Sequence, residues 1–244
     1  MRLAASVFAV IILSFAGLAW SGSICFGPGA IRLAPGFSSL RKGATVVVMP
    51  TNIELFSISG GGVPEPKADW TEAASTHFKA ALLAKRQALG VNMVELTEKD
   101  ADELAEVNVL HGAVASAIGM HHYSECGDAL FALPTKGGKL DWSLGETVQP
   151  IKKLTGADYA LFSWVRDSYA SAERQAASIG IAILSLGRAI PRGGVQLGYA
   201  SLVDLNTGQV VWFNRLARPS GDLREAGKAA ETLDALLAEF PIAK

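Results

Sequence analysis

The chain has 244 residues, with 22 Lys and Arg against 23 Asp and Glu, a formal net charge of −1 and 50% hydrophobic residues. That balance, with no block of Lys and Arg, excludes an electrostatic nucleic-acid binder, because phosphate recognition needs clustered positive charge. The length suffices for one large domain or two small ones; one is preferred, since no internal repeat or low-complexity tract divides the sequence.

Residues 1–23 read as a secretory signal segment. Arg2 is followed by an uncharged apolar run from Leu3 to Ala19, and Ala19-Trp20-Ser21 and Ser21-Gly22-Ser23 are small-x-small patterns that a signal peptidase accepts. Cleavage after Ser21 or Ser23 is expected, with an uncleaved anchor as the alternative, because ~17 apolar residues sit at the lower edge of what spans a bilayer. The expected location is therefore the periplasm or cell envelope. Cys25 and Cys126, the only cysteines, both survive such cleavage. They form a disulfide candidate in an oxidising compartment, but a lipidated Cys25 and two free thiols stay open as alternatives. Against lipidation, Ile24 stands where such signals place a small residue.

Residues 24–43, punctuated by Gly27, Pro28, Gly29, Pro35 and Gly36, read as an extended leader, and residues 44–244 as a single α/β domain. The β-branched run at 44–50 predicts a buried strand, and 51–67, with Gly60-Gly61-Gly62, Pro64 and Pro66, predicts a long loop. A helix follows, with Asp69 and Glu72 as a capping box and Gly90 as its stop. A strand is expected over 91–97, then a Thr97-capped helix whose Leu104, Val107, His111, Val114 and Ile118 recur at three- and four-residue steps. A short strand is expected over 129–133. Ser143 and Glu146 predict a second capping box for a helix ending at Gly156, before an interior strand from Asp158 to Val165. Two strand-like runs joined through Asn206-Thr207-Gly208 predict a β-hairpin, and a third capping box at Asp222 and Glu225 opens the terminal helix. This order predicts an α/β sandwich with a mixed sheet, parallel crossovers plus a C-terminal antiparallel hairpin, packed by helices.

Motifs for catalysis are weak. Asp141-Trp142-Ser143-Leu144-Gly145 and Ile183-Leu184-Ser185-Leu186-Gly187 lack the leading Gly of a nucleophile elbow, and no phosphate-loop pattern surrounds the glycines at 60–62. No cofactor is implied. His121, His122, Glu125, Cys126 and Asp128 form the only dense metal-capable cluster; His121, His122 and Cys126 are the weak metal candidates, without recognised zinc spacing. His77 and His111 lie near apolar helix faces and read as core histidines. The apolar insertion at 172–194 fits ordinary packing least. Its run at 176–190 carries a single charge, Arg188, and suits a buried helix or flap, a subunit or partner interface, or peripheral membrane contact.

Gly156-Ala157-Asp158-Tyr159, followed downstream by Val203-Asp204-Leu205-Asn206-Thr207-Gly208-Gln209-Val210-Val211-Trp212, is similar to bacterial envelope proteins of the group containing the TolB amino-terminal domain and the curli-secretion channel lipoprotein. There a GADY strand entry precedes a V-D-x-x-T-G-x-x-W hairpin; here Asp204, Asn206, Thr207 and Gly208 make the turn. The resemblance covers about a third of the chain and implies a noncatalytic role in assembly, secretion or complex formation, with an envelope protein or a second copy as partner. The runner-up is a periplasmic enzyme or metal-binding protein using residues 121–128.

Overall fold

The computed structural model describes residues 32–122, 133–185, 194–219 and 221–242. Twelve residues beyond Gly156 run as one strand, β5 (Tyr159–Ala170), and the sheet is built on it. Along one side of β5 lie two parallel segments end to end, β1 (Thr45–Val48) and β2 (Asn52–Ile58). Where the chain steps between them, Thr51 Oγ1 and Ser163 Oγ are hydrogen-bonded at 2.8 Å. Along the other side runs antiparallel β6 (Gln196–Asp204), itself paired with antiparallel β7 (Val210–Arg218). A short parallel strand, β4 (Asn92–Glu95), flanks β1, and β3 (Pro64–Pro66) flanks β2 in antiparallel sense. The result is a mixed sheet, as the predicted order of elements implies, with seven strands among the described residues.

Helices α1 (Ala68–Leu89) and α6 (Ala226–Leu236) cover one face, where Phe78, Leu82, Leu233 and Leu236 bury Leu55, Val165 and Leu202. Among the described residues, the other face is covered at one end only. There α2 (Glu98–Glu103), α3 (Ala105–His121) and α4 (Gln149–Thr155) accompany a core of Leu104, Ile118, Ile151, Phe162, Val203 and Phe213. The burial of β5 records this: Tyr159 to Phe162 are all buried, whereas beyond them only Val165 and Asp167 are, alternating with partly exposed neighbours.

The residues that carry the family resemblance have structural work to do. Gly156 ends α4 in the left-handed conformation (φ 66°), a conformation that favours glycine. Asp158 accepts the Thr45 amide at 3.0 Å and pairs with Arg41, tying the start of β1 to β5. In the hairpin, Asp204 Oδ1 accepts the amides of Asn206 (2.7 Å) and Thr207 (3.2 Å), and Thr207 Oγ1 accepts that of Gln209 (3.2 Å).

Several local expectations are revised. Residues 51–67 are not a loop: Ile53, Leu55 and Ser57 alternate inward along β2, and Gly60 to Gly62 turn the chain into β3. Glycines and prolines hid a strand that obeys the two-residue period. The helix expected after Thr97 is divided, because buried Leu104 leaves helical torsions (φ −101°, ψ 6°). The Thr97 cap itself forms, reciprocally with Asp100. The other capping boxes do not. α1 starts after Lys67 without a side-chain cap, and Ser143 accepts the Gly145 amide (2.9 Å) ahead of a 3-10 turn. Asp222 is held by Arg224 instead, and α6 begins only at Ala226. The strand expected over 129–133 falls almost wholly outside the described residues.

At Gly208 (φ 72°), an added Cβ would stand 2.2 Å from the Gly145 carbonyl oxygen. Gly208→Val is therefore expected to destabilise the fold by roughly 2–4 kcal/mol, since strain and a backbone clash add. Urea unfolding of both forms measures it; a change below about 0.5 kcal/mol would contradict this packing.

Candidate functional site

Two exposed features share the thinly covered end of the sheet. The first is α5 (Ala172–Leu184). It opens where β5 leaves the sheet: Ser171 donates its amide to Ile58 O (2.9 Å), and its Oγ accepts the Arg174 amide (3.2 Å). The helix buries none of its residues, and Ile179 (62%), Ile181 (43%), Ile183 (69%) and Leu184 (86%) are exposed. A buried helix or flap, one of the three readings of this run, is thus not what forms. Past Ala170 the helix lies, among the described residues, beside the strand end and the β2–β3 turn, where an added Cβ on Gly60 would lie 3.6 Å from Glu173 Cβ.

The second is a groove of about 430 Å³ between α3 and the sheet. Its floor is a transverse row of register partners, Asn52 on β2, Trp164 on β5, Tyr199 on β6 and Arg215 on β7. The Trp164 and Tyr199 rings are stacked at 5.5 Å and 8°, and the Arg166 guanidinium lies 4.8 Å from the Trp164 ring. Small residues on α3, Gly112, Ala115, Ser116 and Gly119, leave the room above this floor.

The groove's inner wall is His111. Its ring stacks on Phe162 (3.9 Å, 9°), and its Nε2 is hydrogen-bonded to Ser201 Oγ. With the imidazole buried and no carboxylate beside it, desolvation holds its pKa down from 6.5 to about 3, so it stays neutral. Burial likewise pushes the Tyr199 phenol up to about 12, with Arg166 opposing, so the hydroxyl stays a donor.

On the opposite parity of β5, buried Asp167 accepts from Gln196 Nε2 (2.7 Å) and from the Tyr169 hydroxyl. Arg218 donates to Gln196 Oε1 (2.7 Å) and Thr232 Oγ1 (2.6 Å), and Tyr169 accepts the Leu223 amide (3.0 Å). Burial raises the Asp167 pKa; the bonds from Tyr169 and Gln196 oppose it. The network joins β5, β6, β7 and α6 and holds the Leu223 amide.

Of the residues singled out from the sequence, His111 lines the groove and His77 Nδ1 lies 3.2 Å from Leu223 O. His121 and His122 end α3, with His121 stacked on Trp142 (6.3 Å, 10°). Cys25 and Cys126 lie outside the described residues, and with them the disulfide candidate and the third metal candidate. Among the described residues, no three His, Cys, Asp or Glu side chains converge as a metal site. Asp204, Asn206, Thr207 and Gly208 sit in their turn at the helix-covered end, where Gly208 O accepts the Leu144 amide at 2.8 Å. The groove floor escaped the sequence reading. Its signal is the even parity of Phe162, Trp164 and Arg166, which needs the strand register before Asn52, Tyr199 and Arg215 can be placed beside it.

No family model and no curated protein matches the chain. Among solved structures it is similar to a PelC dodecamer from Paraburkholderia phytofirmans, at 14% identity over 84% of this chain and 93% of that one, with a TM-score of 0.35. It is also similar to lipoprotein GNA1162 from Neisseria meningitidis, at 13% identity over 81% and 98%, TM-score 0.31. A third is the LpoB C-terminal domain from Salmonella enterica, at 14% identity over 76% and 87%, TM-score 0.28. None of these likenesses carries an activity or a partner to this chain.

The buried histidine makes stability depend on pH with a defined sign. Below about pH 6.5 the unfolded chain binds a proton that folded His111 refuses until about 3, so stability present above 6.5 falls as pH drops through that window. From pH 6.5 to 4.5, wild type is expected to lose ~2–3 kcal/mol more than the double variant His111→Leu, Ser201→Ala, which removes both partners. Denaturant titration at the two pH values checks it; parallel losses would contradict a neutral His111.

Proposed function

We propose that this protein is an exported, noncatalytic cell-envelope component that works by assembling with itself or docking onto an envelope partner, with the insertion at 172–194 as its contact element. The observation that carries the reading is α5, a helix that buries no residue of its own while exposing three isoleucines and a leucine. Fully burying such a side chain is worth ~1.5–3 kcal/mol, so a partner that covers it supplies a driving force that the isolated protomer forgoes. At 13 residues α5 is too short to cross a bilayer, and no described helix is long and apolar enough to do so. The export pattern at residues 1–23 and the GADY and turn motifs support the envelope setting. The runner-up, an enzyme or metal protein using residues 121–128, gains no support from His121, which lies against Trp142.

Self-assembly is the form of the reading tested first. Size-exclusion chromatography with light scattering on the mature chain is expected to show a concentration-dependent oligomer. The triple variant Ile179→Ser, Ile183→Ser, Leu184→Ser should be monomeric yet melt at the wild-type temperature, because these side chains are exposed in the protomer. Identical monomers in both samples would contradict assembly through α5. Binding of wild type, but not the variant, to lipid vesicles would replace a protein partner with a membrane surface.

A further inference from the structure

We propose that the groove between α3 and the sheet is a binding site for a small amphiphilic carboxylate, a monoacid with an apolar body of medium length. Its volume, about 430 Å³, is in the range of ligand sites. The row Asn52–Trp164–Tyr199–Arg215 crosses four strands at a spacing of about 4.8 Å each, so the floor extends about 14 Å. A floor of that length suits an extended, medium-length acyl chain.

The chemistry of the floor favours an anion. The Arg215 guanidinium and the Tyr199 hydroxyl stand on directly paired residues, and neither has a hydrogen-bond or ion-pair partner among the described residues. The Asn52 side-chain amide, at the far end of the row, is likewise unengaged. Among the described residues no Asp or Glu lines the groove, and its one histidine is neutral. Arg166, beside the row, is already paired with Glu54 at 3.2 Å. Unspent donors with one uncompensated cation and no acceptor of opposite charge suit a carboxylate, which takes two parallel bonds from a guanidinium.

The remaining lining suits the apolar body. Trp164, Phe213 and Leu197 form floor and side, and Ala115 and Gly119 the roof. The carboxylate is assigned to Arg215 and Tyr199 at the β7 end, and the chain runs along Trp164 toward β2. Neither the noncatalytic reading nor assembly through α5 is needed for this assignment, because the groove and α5 share no residue.

The test is isothermal calorimetry on the mature chain with sodium decanoate, 1-decanol and decylammonium, alongside Trp fluorescence. Decanoate is expected to bind saturably at one per chain, with decanol and decylammonium at least tenfold weaker. Arg215→Gln should weaken decanoate at least tenfold while leaving decanol unchanged. Ser116→Leu, which fills the groove from an exposed helix position, should abolish binding without lowering the melting temperature. Trp164→Phe should remove the fluorescence change and keep the calorimetric one, and Lys99→Gln on α2 should bind as wild type. Absence of saturable decanoate binding, equal binding of decanol, or wild-type affinity in Arg215→Gln or in folded Ser116→Leu would each overturn the assignment.

Discussion

Strand β5 is longer than the helical layer that covers one of its faces, and the molecule's exposed chemistry follows from that mismatch. Twelve residues of strand extend about 40 Å, while the 17 residues of α3 extend about 25 Å. Helices α1 and α6 pack along the other face; on this face the covering helices pack over Phe162, Val203 and Phe213 and, among the described residues, leave the rows beyond them open. Trp164, Tyr199 and Leu197 are therefore only partly buried, on a sheet whose reverse side is core. The same far end releases the chain into α5, whose isoleucines are exposed.

The two ends of the sheet also differ in how they hold charge. At the covered end, Asp158 is tied to Thr45 and Arg41, and His111 is kept neutral between Phe162 and Ser201. At the far end, Asp167 is buried within a set of donors whose bonds limit its cost, an arrangement that fixes strand register and the approach of α6. Neither group carries a reacting geometry. Asp158 ties β1 to β5, the Asp167 network ties β5, β6 and β7 to α6, and the register of β2, β5, β6 and β7 sets Asn52, Trp164, Tyr199 and Arg215 in one row.

Much of the architecture was legible in the sequence because it is local. Gly156 stops a helix, Asp204 with Thr207 and Gly208 turns a hairpin, and the apolar runs at 44–50 and 158–165 become neighbouring parallel strands. What was not legible depends on partners distant along the chain. Asp222 was taken by Arg224 before it could cap a helix, a competition that spacing alone cannot reveal. The alternation in β2 was obscured by the glycines and prolines that follow it. The exposure of α5 was beyond any periodicity, because an apolar helix reads the same whether or not a surface lies beneath it. The groove needed the register of four strands and the smallness of the α3 residues opposite.

The central claim is that α5 is an open surface in the protomer and becomes covered only on association. Hydrogen–deuterium exchange over a concentration series of the mature chain tests it most directly. The account predicts that amides of Ala172–Leu184 exchange rapidly in dilute solution and slow at least tenfold as concentration rises, while those of Tyr159 to Val165 stay equally protected throughout. Core-level protection of α5 in the dilute monomer would contradict it.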